Sequence, residues 1–172
     1  IENTPLYDEY KRGEYTPYSD QDMIRVLTEV KRNIPKWVRI MRVQREISPK
    51  EIIAGPKSGN LRQIVLQNLN KQGISCRCIR CREAGLTNKK SQDQNLKLNR
   101  INYESSGGSE VFLSYEDSND SIYGFLRLRK PSIQAHRKEV GSNSCIVREL
   151  HVYGKSLKLG EKGENEIQHS GL

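Results

Sequence analysis

Apolar residues recur at helical spacing from about residue 19 to residue 34. Met23, Ile24, Val26, Leu27 and Val30 follow Ser19-Asp20-Gln21-Asp22, which reads as a capping box, and Ile34-Pro35 ends the pattern. This spacing predicts an amphipathic helix of about four turns. Trp37-Val38-Arg39-Ile40-Met41-Arg42-Val43 then alternates between Pro35 and Ser48-Pro49, which predicts a buried strand with Arg39, Arg42 and Arg45 nearby. Asn60 is placed to cap a second helix. Its apolar stripe is Leu61, Ile64, Val65 and Leu69, and Gly73 supplies the left-handed terminator.

The second half follows a different pattern. Residues 84–100 are polar and weakly patterned, so they are expected to form a linker near a domain boundary. Beyond Tyr103, Val111–Tyr115 and Ile122–Arg129 flank Asp117-Ser118-Asn119-Asp120, the signature of an antiparallel hairpin. A third strand is predicted over Cys145–Tyr153, after a basic loop holding His136, Arg137 and Lys138. The chain shows no repeat of fixed period. The expected fold class is α/β, more narrowly α+β, with the β content gathered in the last third.

Composition changes this picture in two ways. The 172 residues suffice for one ordinary domain or two small ones, but 34% hydrophobic residues and 13 glycines fall short of the usual apolar share of roughly 45–50%. A thin core is expected. A net charge of +8 and a pI near 9.4 make a polyanion the leading class of partner, although charge alone does not separate RNA, DNA and an acidic membrane. No run approaches the roughly 18–20 apolar residues that span a bilayer, and Ile1-Glu2-Asn3-Thr4-Pro5 has neither a basic nor an apolar signal segment. A soluble, cytoplasmic chain without a membrane partner is expected. A start at Ile1 and an end at Ser170-Gly171-Leu172 in mid-motif are those expected of a fragment.

Chemistry concentrates in Cys76-Arg77-Cys78-Ile79-Arg80-Cys81-Arg82. Thiolates this close in sequence converge on one cation without a long chain closure, whereas disulfides between such neighbours are strained. A metal site is favoured over a disulfide, and a reduced basic loop with incidental cysteines is the remaining alternative. Zinc is the expected metal and an iron-sulfur cluster the competitor, because the Cys-x-Cys-x-x-Cys spacing is tighter than cluster motifs use. The fourth position is left open among His151, His136, His169, Glu83 and water. Cys145 stands apart.

His151 falls in an apolar strand, where a satisfied core histidine is the commoner outcome, and His136 reads as surface. Glu149 lies between Ile146-Val147 and Leu150 in a strand suited to burial. There it is either paired with an arginine or kept for chemistry, which makes it the one catalytic candidate. Arg148 is expected on the opposite face, leaving Arg127 or Arg129 as the partner. Gln168-His169-Ser170-Gly171 is a weak sign of a phosphate cradle when taken alone.

Seven segments in order carry a family resemblance: Tyr15-Thr16-Pro17-Tyr18, Val38 through Ile47, Asn60-Leu61-Arg62, Cys76 through Glu83, Phe125 through Arg129, Arg148 through Gly154, and Gln168-His169-Ser170-Gly171. Together they resemble the family of tRNA-modifying enzymes, including the catalytic subunit of the Elongator complex, that join a radical SAM domain to a GNAT-type acetyltransferase domain. The resemblance implies that residues 1–72 end a radical SAM barrel, that 73–100 form a zinc-binding connector and linker, and that 101–172 begin the acetyltransferase fold. It further implies an acyltransferase that uses acetyl-CoA, SAM and a 4Fe-4S cluster to build a carboxymethyl group on the wobble uridine of tRNA. The family's cluster-binding cysteine motif is not in this chain, so no iron-sulfur ligand is assigned here.

By the same resemblance, Glu149, Leu150, His151 and Val152 lie on the strand that pairs with the pantetheine arm, and Gln168, His169 and Gly171 begin the pyrophosphate cradle. Arg39, Arg42, Arg45, Arg62, Arg77, Arg80 and Arg82 are expected to face tRNA phosphates, about a third of them being internal ion-pair partners instead. Other Elongator subunits or a second copy are the implied protein partners. A non-catalytic nucleic-acid-binding zinc module and a protein or histone lysine acetyltransferase are the alternatives.

Overall fold

A computed structural model describes residues 2–44, 47–86, 95–137, 139–141 and 143–154. The chain divides into two compact units, Ile1–Cys78 and Ile79–Leu172.

In the first unit, helix α1 (Pro5–Lys11) has no apolar stripe, so hydrophobic periodicity gives no sign of it. It starts where Thr4 accepts from the Tyr7 amide and Pro5 occupies the first turn, where its missing N–H costs nothing. Helix α2 (Asp20–Asn33) begins as expected, with the Ser19 hydroxyl accepting from the Asp22 amide at 3.1 Å and the Asp22 carboxylate accepting from the Ser19 amide at 3.2 Å. Its buried line differs from the expected one. Thr28 and Lys31 are buried, whereas Val26 and Val30 are exposed. Thr28 satisfies its hydroxyl on the Ile24 carbonyl at 2.7 Å, so a polar residue sits inside at no hydrogen-bond loss.

Helix α3 (Leu61–Lys71) packs on α2 through buried Leu61, Val65 and Leu69, and Gly73 turns the chain at φ +70°. The Asn60 side chain makes no capping bond; its backbone carbonyl accepts from the Gln63 amide instead.

The strand expected over Trp37–Val43 does not form among the described residues. Alternation prepares a strand, but a neighbour must take its backbone groups. Here the Arg62 guanidinium takes the Ile40 and Met41 carbonyls, at 2.9 and 3.2 Å.

The second unit opens with one helical turn, α4 (Ile79–Arg82), and continues, among the described residues, as a four-stranded antiparallel meander: β1 (Lys97–Ser105), β2 (Gly108–Glu116), β3 (Ile122–Lys130) and β4 (Ile146–Val152), in that spatial order. The hairpin β2–β3 and the strand β4 follow the expected pattern. Strand β1 does not: it occupies part of the stretch expected to be linker. Its asparagines and lysine are poor strand formers, but backbone pairing from Lys97↔Glu116 to Ser105↔Gly108 holds it. The turn between them is two residues, Ser106 and Gly107, both at positive φ, the backbone that suits a tight hairpin. A side chain at Gly108 would meet the Lys130 carbonyl at 2.6 Å.

The β2–β3 turn is held by Asp117, whose carboxylate accepts from the Asn119 and Ser121 amides and the Tyr123 hydroxyl. Phe112, Ile122 and Phe125 form the core of this unit, with Ile79 and Ala84 buried as well. No helix among the described residues is long and apolar enough to cross a membrane.

Candidate metal centre and cofactor-facing strand

The cysteine run follows the glycine turn that ends α3. Cys76 and Cys78 are buried and Cys81 partly so, and none is in a disulfide. Their three sulfurs lie within 4.8 Å of one another. Cys78 and Cys81 are three residues apart at the start of a helical turn, a spacing that puts both side chains on one face. Tetrahedral coordination at about 2.3 Å places sulfurs about 3.8 Å apart, so small side-chain rotations close the group onto a metal ion.

The donor set is soft and anionic, which fits a thiophilic dication. Lys31 approaches the same group: its Nζ donates to Cys76 Sγ at 3.4 Å. Among the described residues, the group contains neither Glu83 nor His136 nor His151. Glu83 instead lies 3.3 Å from Arg80. Cys145 is exposed and outside the group, and His169 lies outside the described residues.

The basic set separates into different environments. Arg42 and Arg77 are exposed and Arg39 is half-buried, while Arg45 lies outside the described residues. Arg62 is tied to the carbonyls of Ile40 and Met41, which orders the segment carrying Arg39 and Arg42. Arg80 shares its charge with Glu83. Arg82 corrects the sequence expectation: it is 4% exposed, with Nη1 at 3.0 Å from Glu116 and 3.1 Å from Asp120. A guanidinium buried against two carboxylates of its own unit cannot face phosphate. Its charge anchors the turn between β2 and β3.

On the sheet, Arg127 faces Glu149 in register, and its Nε donates to the Glu149 carboxylate at 2.8 Å. Of the two partners expected, Arg127 is therefore the one realised. Strand β4 is not buried as expected: it is the last strand among those described, and Leu150 is 65% exposed. His151 is likewise exposed rather than a core residue. Its ring stacks on Tyr153, with centroids 6.1 Å apart, and lies 5.1 Å from Phe125. Leu150, His151 and Val152 line a cleft of about 240 Å³ with Phe125, Tyr115 and Leu98. Gln168, His169 and Gly171 lie outside the described residues.

Arg148 departs from its expected face. The pairing of β3 with β4 shifts between Arg127 and Leu128, and this irregularity accompanies the turning of Arg148 onto the Glu110 carboxylate. Glu110 is fully buried and also accepts from Tyr103 at 2.7 Å and Arg129 at 3.0 Å. Arg127 in turn reaches the Tyr103 hydroxyl, so the network extends to Glu149. Glu110 is not among the residues singled out from the sequence. Its signal was an acid at the inward phase of Glu110-Val111-Phe112-Leu113-Ser114, where every second residue is buried.

This arrangement, a helical unit ending in a thiolate group and then an antiparallel meander with an apolar cleft on its last strand, matches a known class. Residues 1–71 match the family described as the Radical_SAM C-terminal domain. The chain is 46% identical, over 99% of its length, to the tRNA uridine(34) acetyltransferase of Methanocaldococcus jannaschii, covering 32% of that protein. It is 39% identical over 100% of its length to human Elongator complex protein 3, again covering 32% of it. The solved structure of archaeal Methanocaldococcus infernus Elp3 with its first 46 residues deleted superposes with a TM-score of 0.85 at 42% identity, over 99% of this chain and 41% of that one. Over nearly its whole length the chain is similar to these tRNA uridine(34) acetyltransferases and Elongator proteins. It spans about a third of the length of these two curated relatives.

Proposed function

We propose that this chain is part of a cytoplasmic tRNA wobble-uridine acetyltransferase, an acyltransferase that uses acetyl-CoA, SAM and a 4Fe-4S cluster to make carboxymethyluridine. The observation that carries the reading is identity of 46% to a tRNA uridine(34) acetyltransferase along essentially the whole chain. In this reading residues 1–72 belong to the radical SAM part, 73–100 to a zinc-binding connector and linker, and 101–172 to the acetyltransferase part. Cys76, Cys78 and Cys81 hold zinc, the usual ion for a thiolate-rich structural site. Leu150, His151 and Val152 offer pantetheine an exposed strand edge beside an apolar cleft, so that main-chain hydrogen bonds supply affinity. Glu149, tied to Arg127, holds that strand rather than taking part in chemistry. Gln168, His169 and Gly171 begin the pyrophosphate cradle, and other Elongator subunits or a second copy are its protein partners.

The test is acetyl-CoA hydrolysis by the whole protein of which this chain is part. Hydrolysis that requires tRNA is expected. Acetylation of a lysine peptide without tRNA would assign a protein acetyltransferase, and tRNA binding without hydrolysis would assign a non-catalytic zinc module.

The arginines give a second, paired expectation. Arg39, Arg42, Arg62, Arg77 and Arg80, with Arg45, supply phosphate contacts. Arg42→Ala should weaken tRNA binding and reduce the slope of log K against log salt by about 1, with little change in stability. Arg82→Ala should do the reverse, leaving the slope unchanged and destabilising the chain by about 2 kcal/mol as Glu116 loses its buried partner. Equal effects of the two on the salt slope would overturn this division.

A further inference from the structure

We infer that Lys31 is the charge-balancing outer partner of the thiolate centre, and that the centre therefore takes a divalent ion with a neutral fourth ligand. The inference rests on the metal reading above and goes beyond it in assigning a residue and a net charge. Lys31 lies in the last turn of α2 and is 1% exposed, so its ammonium has left water almost completely. Burying an ammonium is costly unless an anion compensates. The Lys31 Nζ donates to Cys76 Sγ at 3.4 Å across 45 residues of chain.

The charges decide what the centre can hold. Three thiolates around a dication leave one negative charge, and one ammonium cancels it. A fourth thiolate or a carboxylate would leave a buried surplus of negative charge. A water or an imidazole would not. A hydrogen bond from a cation to a metal-bound sulfur also draws electron density from it, as outer partners of metal ligands do.

Lys31→Met keeps the length and removes the charge, whereas Lys31→Arg keeps the charge. Metal affinity is measured on the full chain by chelator competition with zinc, and Co²⁺ serves as the spectroscopic probe. Lys31→Met is expected to weaken zinc binding by about 10–100-fold and to move the sulfur-to-cobalt charge-transfer band to lower energy. Lys31→Arg should stay within a few-fold of the parent chain with the band nearly in place. Lys31→Met should also be less stable than the parent when metal-loaded, yet as stable or more so after the metal is removed. Three results would overturn the proposal: an unmoved band, an equal stability loss with and without metal, or an arginine variant as weak as methionine, which marks direct ligation by the amine. A parent chain that binds no zinc or cobalt overturns the metal reading itself, and that is seen before any variant is made.

Discussion

Replacing Cys78 by serine should empty the metal centre. In the parent chain about one zinc per molecule is expected, and Cys76→Ser, Cys78→Ser or Cys81→Ser should each reduce it nearly to zero, while Cys145→Ser should leave it intact. The contrast follows from geometry: three sulfurs converge within 4.8 Å, and Cys145 is exposed and apart from them. Structural zinc sites in small peptides bind with roughly 10–16 kcal/mol at neutral pH, and a site rarely exists in the unfolded chain, so that binding energy is folding energy. With three thiolates in the group, losing one leaves two, too few to hold zinc against water. The stability loss should be largest around Cys76 and Cys78, because both are buried whereas Cys81 is only partly so. Native mass spectrometry with elemental analysis is the check. Iron in place of zinc, or metal content that survives Cys78→Ser, would sink the assignment.

How far the fold can be read along the chain depends on how local its causes are. Helix α2 was legible because a capping box and a following proline bound it within the segment itself. The β2–β3 hairpin was legible for the same reason, since Asp117 organises its turn over four residues. The cysteine run announced itself because its three thiols fall within six residues. The misses are non-local. Trp37–Val43 has a strand's alternation, but a strand also needs a partner, and the partner its carbonyls found is Arg62. Strand β1 has the opposite history, with poor intrinsic propensity and a good partner. Lys31 is outside the apolar pattern of α2, and only the approach of Cys76 from 45 residues away gives it a reason to be inside. Arg148 went to the wrong face because period-two counting fails at an irregular pairing.

Glu110→Gln should destabilise the second unit by about 3–5 kcal/mol at neutral pH, the usual penalty for breaking one side of a buried ion pair. The carboxylate is fully buried and its two oxygens are taken by Tyr103, Arg129 and Arg148. Glutamine keeps the shape, but its amide nitrogen would point a donor at one of these donors and leave cationic groups without an anion. Burial alone would push the Glu110 carboxyl up; the hydrogen bonds from Tyr103, Arg148 and Arg129 outweigh it and hold the pKa below its ordinary value. Tyr103, raised by burial and then by Glu110, remains a protonated donor throughout. A carboxyl with a depressed folded pKa adds stability that is present above its unfolded value, about 4.3, and is lost as pH falls through the folded one. The gap between the parent chain and Glu110→Gln should therefore be widest near pH 7 and narrow as the pH drops below about 4. Denaturant melts at several pH values measure it directly. A gap that is small at pH 7, or that stays constant into acid, would mean that Glu110 fills space in the sheet rather than holding β4 to β2 by its charge.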